Sequence, residues 1–127
     1  MMDFSLNDEQ LSWQNKARDF SDSKIKPISV PRDQIEGGYD PFDWSVIEEG
    51  SKLGFRTLAV PKEWGGPGTG FVTQALVMME LARGDSAICK AFSQNWKWSH
   101  LIVNACNEEQ KKRFLAPVSY THLTLPT

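Results

Sequence analysis

The order of apolar and polar positions divides the chain into helical segments arranged around one of them. From Phe71 to Arg83 the sequence FVTQALVMMELAR sets Phe71, Val72, Ala75, Leu76, Val77, Met78, Met79, Leu81 and Ala82 on every side of a helical wheel. A helix apolar all round is a buried one. The run is shorter than the roughly 20 apolar residues a bilayer demands, and Gln74, Glu80 and Arg83 interrupt it. It therefore predicts the middle of a soluble core. The other periodic segments, apolar on one side only, would pack around it. The glycine-rich run WGGPGTG, Trp64–Gly70, leads the chain in.

Leu6-Asn7-Asp8-Glu9-Gln10-Leu11 predicts the first helix start. Asn7 is the cap, Gln10 completes a capping box, and Leu6 with Leu11 forms a hydrophobic staple. Asp8 and Glu9 suit the positive end of the helix dipole. Trp13, Ala17 and Phe20 recur at helical spacing, and Pro27 ends the helix near Lys26. Ile28–Asp40, with Gly37-Gly38 inside it, reads as a connecting loop. Asp40-Pro41, a cap and a first-turn proline, opens a second helix. Its apolar side is Trp44, Val46, Ile47 and Leu53; Gly50 allows close approach and Gly54 stops the helix.

Thr57–Val60 has extended character but no partner strand. Gly84 lies at the C-terminal side of the central helix. Asp85 or Ser86 caps the next, which runs to about Ala105. Asn107-Glu108-Glu109-Gln110 repeats the capping-box logic and starts a short helix to Leu115. The expected fold is all-α, an orthogonal-type bundle of about five helices.

The helix from Ser86 to Ala105 is the most informative. Ile88, Phe92, Trp96, Ser99 and Val103 make one side; Ser86, Lys90, Ser93, Lys97, His100 and Asn104 make another. Trp98 fits neither. An uncovered indole there is costly, so part of this helix is expected to face a ligand, another domain or a subunit.

Composition narrows the function classes. The 127 residues, 40% hydrophobic, suffice for one domain. A formal net charge of −2 argues against a nucleic-acid or anionic-membrane partner, because both want a concentrated basic patch. The acidic start MMDFSLNDEQ shows no secretory signal or Arg-rich transit peptide. Cys89 and Cys106, on one helix and its end, are about 25 Å apart at 1.5 Å per residue. They are expected to be free thiols in a reducing, cytoplasmic setting.

Catalytic raw material is sparse. No HExxH, paired CxxC or GxSxG pattern occurs, and His100 with Cys106 makes no zinc set. His100 reads as a structural or solvated helix residue. Trp64–Gly70 lacks the lysine and hydroxyl of a phosphate loop, so it reads as a structural turn. Glu48-Glu49 and Glu108-Glu109 sit where a solvated face and a helix N-terminus want them. No catalytic and no metal residue is assigned.

The segments LNDEQ…ARDF…KIKP, KLGF, LAVPKEWGGPG, MELARGDSA and CNEEQKKRFLAP, in that order from about Phe4 to Pro117, resemble the N-terminal α-helical domain of the acyl-CoA dehydrogenase family. The resemblance implies a flavoenzyme that uses FAD to remove the α-proton and β-hydride of an acyl-CoA. The product is a 2-enoyl-CoA, and the electrons pass to an electron-transfer flavoprotein or similar acceptor. It implies a homo-oligomer, usually a tetramer. Flavin-binding and catalytic residues would belong to a middle β-domain and a C-terminal helical domain, so none falls on this sequence.

By the same correspondence, the far end of the acyl pocket would be lined near Phe92, Ser93, Trp96 and Lys97. Ser93 and Lys97 depart from a long-chain pattern, and a lysine buried beside a saturated tail is costly. A short, polar or carboxyl-bearing acyl group follows as the expectation. The rival classes are a related flavin monooxygenase or nitroalkane-oxidase-like enzyme, and a non-enzymatic helical interaction module. Residues 1–117 are expected to form the domain. Val118–Thr127, VSYTHLTLPT, resembles the in-frame translation of a DNA-sequencing adapter and is expected to be an artefactual, disordered tail.

Overall fold

The computed structural model describes residues 1–35 and 43–120, with side chains as far as Pro117. The first helix, α1 (Asp8–Phe20), starts where the capping box predicts. Asn7 Oδ1 accepts from the Gln10 N–H at 2.8 Å, and Gln10 Oε1 accepts from the Asn7 N–H at 3.0 Å. The helix does not end before Pro27. It passes into a π-helical turn, Ser21–Ile25, and then into α2 (Lys26–Asp33), with helical backbone throughout.

The π turn explains how proline is admitted. The Lys26 N–H bonds back to Ser21 O, five residues earlier, so the ladder has changed register before Pro27 arrives. Pro27 then occupies the first turn of α2, where a missing N–H breaks no bond. The expected loop consequently begins later than Ile28. The predicted Asp40-Pro41 helix start lies outside the described residues.

Helix α3 (Trp44–Lys52) is capped by Asp43, whose Oδ1 accepts from the Ser45 N–H at 3.0 Å. Val46 and Ile47 are buried as expected, whereas Trp44 and Leu53 are exposed. Gly54, at φ 94°, ends the segment in the left-handed region that only glycine adopts without strain. From Phe55 to Gly70 the chain makes turns, including a 3-10 turn at Lys62–Trp64. Leu58 O accepts from both the N–H (3.2 Å) and Oγ1 (2.7 Å) of Thr69, and Val60 O accepts from the Gly68 N–H at 2.9 Å. Those bonds fold the run back on itself. A Cβ on Gly66 would stand 2.1 Å from Val60 O, which requires glycine there.

Three helices complete the chain: α4 (Phe71–Gly84), α5 (Ser86–Ala105) and α6 (Glu108–Tyr120). Counting α1, the π turn and α2 as one rod gives five rods, and no strand occurs among the described residues. The fold is all-α, as the periodicity predicts. Asp85 caps α5, its Oδ1 accepting from the N–H groups of Ala87 (2.8 Å) and Ile88 (3.1 Å). The second capping box forms at Asn107 and Gln110. Helix α6 continues past the expected stop at Leu115 to Tyr120.

The core is a cluster of Phe20, Phe55 and Phe92, with ring centroids 5.4, 6.2 and 6.5 Å apart. Ala17, Ile25, Val46, Ile47, Leu58, Val77, Leu81 and Ile88 surround it. Tilted and edge-on ring pairs add to the area they bury. Gly50 lets α3 close on this cluster, since a Cβ there would lie 2.4 Å from the Phe92 ring. Gly84 plays the same part at the far end of α4, against Ser21 and Ile25 of the π turn.

Helix α4 corrects the expectation drawn from its composition. It is not buried all round. Its inner face carries Thr73, Gln74, Val77, Glu80 and Leu81, while Phe71 (75% exposed), Val72, Met78 and Met79 (68%) face outward. Gln74 and Glu80 can lie inside because each has a partner there, which removes most of the cost of burying it. Glu80, 7% exposed, accepts from Arg18 at 2.6 Å through Oε1 and from Arg83 at 3.1 Å through Oε2. Arg83 also meets Asp22 at 3.0 Å, and Asp22 meets Lys26.

Candidate functional site

Helix α5 positions the four residues predicted to line an acyl pocket, and it sets them in two pairs. Phe92 and Trp96, one turn apart, point inward and are buried. Trp96 Nε1–H donates to Phe55 O at 2.6 Å, so its polar end is committed to the core. Ser93 and Lys97, also one turn apart, lie about 100° further round the helix. Ser93 is buried at the edge, its hydroxyl donating to Lys90 O at 3.4 Å, and so leaves the polar side on which the sequence placed it. Lys97 is exposed. The structure does not bring the four onto one surface.

The edge bearing Ser93 and Lys97 continues to His100 and runs beside α4. His100 Nε2 lies 3.0 Å from Gln74 Oε1, and its ring stacks on Phe71 with centroids 4.8 Å apart. One turn nearer the start of α5, Cys89 Sγ donates to Met78 O at 3.4 Å. Burial pushes the Cys89 thiol above its ordinary range, so it is a packed thiol and no ready nucleophile. The Gln74–His100 contact was not legible beforehand. Its signal was an amide inside an otherwise apolar run, which needs a buried partner.

On the opposite edge of the exposed side of α5, Trp98 is 61% exposed, and Leu101 is exposed between the two edges. Together with Phe71, Val72, Met78 and Met79 of α4, they leave large apolar side chains in water. So many large apolar side chains exposed in one small domain suit faces that another surface covers. No group of three or more His, Cys, Asp or Glu among the described residues could hold a metal ion. No helix among them is long and apolar enough to cross a membrane.

A family model described as "Acyl-CoA dehydrogenase, N-terminal domain" matches residues 7–120. This chain belongs to the acyl-CoA dehydrogenase family. It is 32% identical over 110 residues to the mitochondrial isobutyryl-CoA dehydrogenase of Dictyostelium discoideum, covering 87% of this chain and 26% of that protein. It is 28% identical over 116 residues to the 3-sulfinopropanoyl-CoA desulfinase of Cupriavidus necator, covering 91% and 28%. The fold is similar to butyryl-CoA dehydrogenase from Megasphaera elsdenii, with a TM-score of 0.77 and 30% identity over 93% of this chain and 31% of that one. The chain thus spans about a quarter to a third of the length of the proteins it matches.

The family implies a flavin, and neither of two grooves among the described residues fits a flavin pyrophosphate. A groove of about 440 Å³ at the start of α4 is lined by Lys62, Gly68, Gly70 and Phe71, but also by Glu9. A second, of about 400 Å³ beside the start of α5, holds Asp33 and Asp85 with Arg32. A pyrophosphate wants converging amides and cations. Carboxylates stand in both grooves, and Asp85 already occupies the free amides of α5.

Proposed function

We propose that this chain is the N-terminal helical part of an FAD-dependent acyl-CoA dehydrogenase. The enzyme would oxidise an acyl-CoA thioester to the 2-enoyl-CoA, losing the α-proton and the β-hydride. The observation that carries the reading is the match to the family's N-terminal domain across residues 7–120. The bare apolar faces of α4 and α5 agree with it, because other domains of such an enzyme would cover them. Residues 1–117 would be the domain proper and Val118–Thr127 foreign to it. The parent would form a homo-oligomer and pass electrons to an electron-transfer flavoprotein or a similar acceptor.

Within that enzyme the Ser93–Lys97 edge would meet the far end of the acyl group, with Phe92 and Trp96 supporting it from behind. An exposed ammonium beside a buried hydroxyl suits a short, polar or carboxyl-bearing acyl chain. The desulfinase relative, whose name specifies an acyl group ending in a sulfinate, agrees with this. Lys97→Leu in the whole enzyme is then expected to lower kcat/KM for a carboxyl-ended acyl-CoA about 10- to 100-fold, for a charge-assisted contact worth about 1.5–3 kcal/mol. Butyryl-CoA should be little affected. Equal losses on both substrates would remove the lysine from the acyl end.

The family reading is tested by the DNA that follows codon 117 in the source genome. It is expected to continue as an open frame into a β-rich domain and a second helical domain. A stop codon soon after Pro117 would favour a free-standing interaction module instead. Oxygen consumption with nitroalkanes, and no turnover of acyl-CoA, would favour the oxidase or monooxygenase branch.

A further inference from the structure

Helices α4 and α5 and the glycine-rich turn before them share one hydrogen-bonded chain. Gln74 is 5% exposed, and its Nε2 donates to Thr69 O at 2.8 Å. A backbone carbonyl can only accept, so the amide nitrogen must face Thr69 and the amide oxygen must face away from it. That oxygen lies 3.0 Å from His100 Nε2. An amide oxygen also only accepts, so His100 Nε2 must carry the proton. Thr69 is anchored in turn, its N–H and hydroxyl both donating to Leu58 O. The ring cannot easily flip out of this arrangement, because Phe71 stacks against it.

We infer that Gln74 holds His100 in the Nε2–H tautomer, so that His100 positions α5 on the glycine turn and presents Nδ1 as a bare acceptor. The neutral side chain in water already leans toward the Nε2–H form but keeps a share of the other; here a carbonyl at residue 69, transmitted through one amide, removes that share. Any contact made through Nδ1 of the neutral ring is then with a hydrogen-bond donor, such as a hydroxyl or an ammonium. A carbonyl or a carboxylate finds no proton there. His100 is a positioning residue in this account. It fixes the rotation of α5 on the edge that bears Ser93 and Lys97.

The experiment is nitrogen-15 NMR of the 127-residue chain at alkaline pH, where an imidazole is neutral. Long-range couplings from the ring protons are expected to show a protonated Nε2 and a bare Nδ1 for His100. A protonated Nδ1, or an even mixture, would overturn the inference. Gln74→Leu should convert the single tautomer to a mixture; an unchanged tautomer would show that Gln74 is not its cause.

Hydrogen exchange supplies the positioning readout at the amides of Gly68 and Thr69. His100→Leu is expected to speed their exchange roughly tenfold, the scale of one lost hydrogen bond. His100→Gln, whose amide nitrogen reaches where Nε2 was, should restore the slow rate. Equal rates in all three proteins would overturn the positioning role.

Discussion

The two faces of α4 invert the usual distribution. Its inner face buries Thr73, Gln74 and Glu80 beside Val77 and Leu81, while its outer face shows Phe71, Val72, Met78 and Met79 to water. The two largest inner polar groups are occupied: Glu80 by two arginines, Gln74 by Thr69 and His100. The outer apolar groups stay exposed, although Phe71 stacks on His100. The inner face is thus finished as part of this fold, and the outer face is suited to a neighbour. Average hydrophobicity along a helix does not separate these cases. What separates them is whether each side chain has its partner.

The largest effect is expected at the core. Phe92→Ala removes a ring that touches Phe20 and Phe55, and should cost about 3–5 kcal/mol in chemical denaturation. A loss as small as that of a surface change would mean that α5 does not pack inward through this residue.

Glu80→Gln should cost less, about 1–2 kcal/mol, because the two arginines it leaves reach solvent. It should also change the acid limb. Hydrogen bonds from Arg18, then Arg83, hold the Glu80 carboxyl below its ordinary 4.5. Arg83 and Lys26 hold Asp22 at about 2 against an ordinary 3.8. Carboxyls depressed on folding contribute stability at neutral pH that is lost as protons bind the folded form. The melting temperature should therefore fall between about pH 4.5 and 2, and fall less steeply in Glu80→Gln. A fall of equal steepness in both proteins would take Glu80 out of the acid response.

The smallest effect belongs to the outer face. Met79→Ser should change stability by no more than about 0.5 kcal/mol while reducing binding of a dye that reports apolar surface. A destabilisation of several kcal/mol would place Met79 in a core, contrary to its exposure.

Much of this fold is legible in the sequence, for local reasons. Both capping boxes and the Gly54 stop are written within a few residues of where they act, whereas Gly50 signals a close approach whose partners, Phe92 and Phe20, lie far off along the chain. Where the reading fails, a distant group decides. Pro27 usually ends a helix, and only the register shift of the π turn admits it. The all-apolar wheel of α4 implies burial, and it takes Arg18, some sixty residues away, together with Arg83 to explain why Glu80 is buried where Met79 is not. The candidate site is less legible. The pairing of Ser93 with Lys97 follows from helical spacing. The apolar line Ile88–Phe92–Trp96 likewise marks the inner side of α5; what α5 alone does not reveal is that Phe20, Phe55 and Gly50 close around Phe92.

If this helical domain serves an acyl-CoA dehydrogenase, anaerobic reduction of the bound flavin by substrate will show it. The protein encoded by the extended gene should be purified with its flavin, and short acyl-CoA thioesters added without oxygen. The expected outcome is bleaching of the flavin absorbance together with formation of the matching 2-enoyl-CoA. A flavin that stays oxidised with every straight-chain, branched and carboxyl-ended acyl-CoA would contradict it.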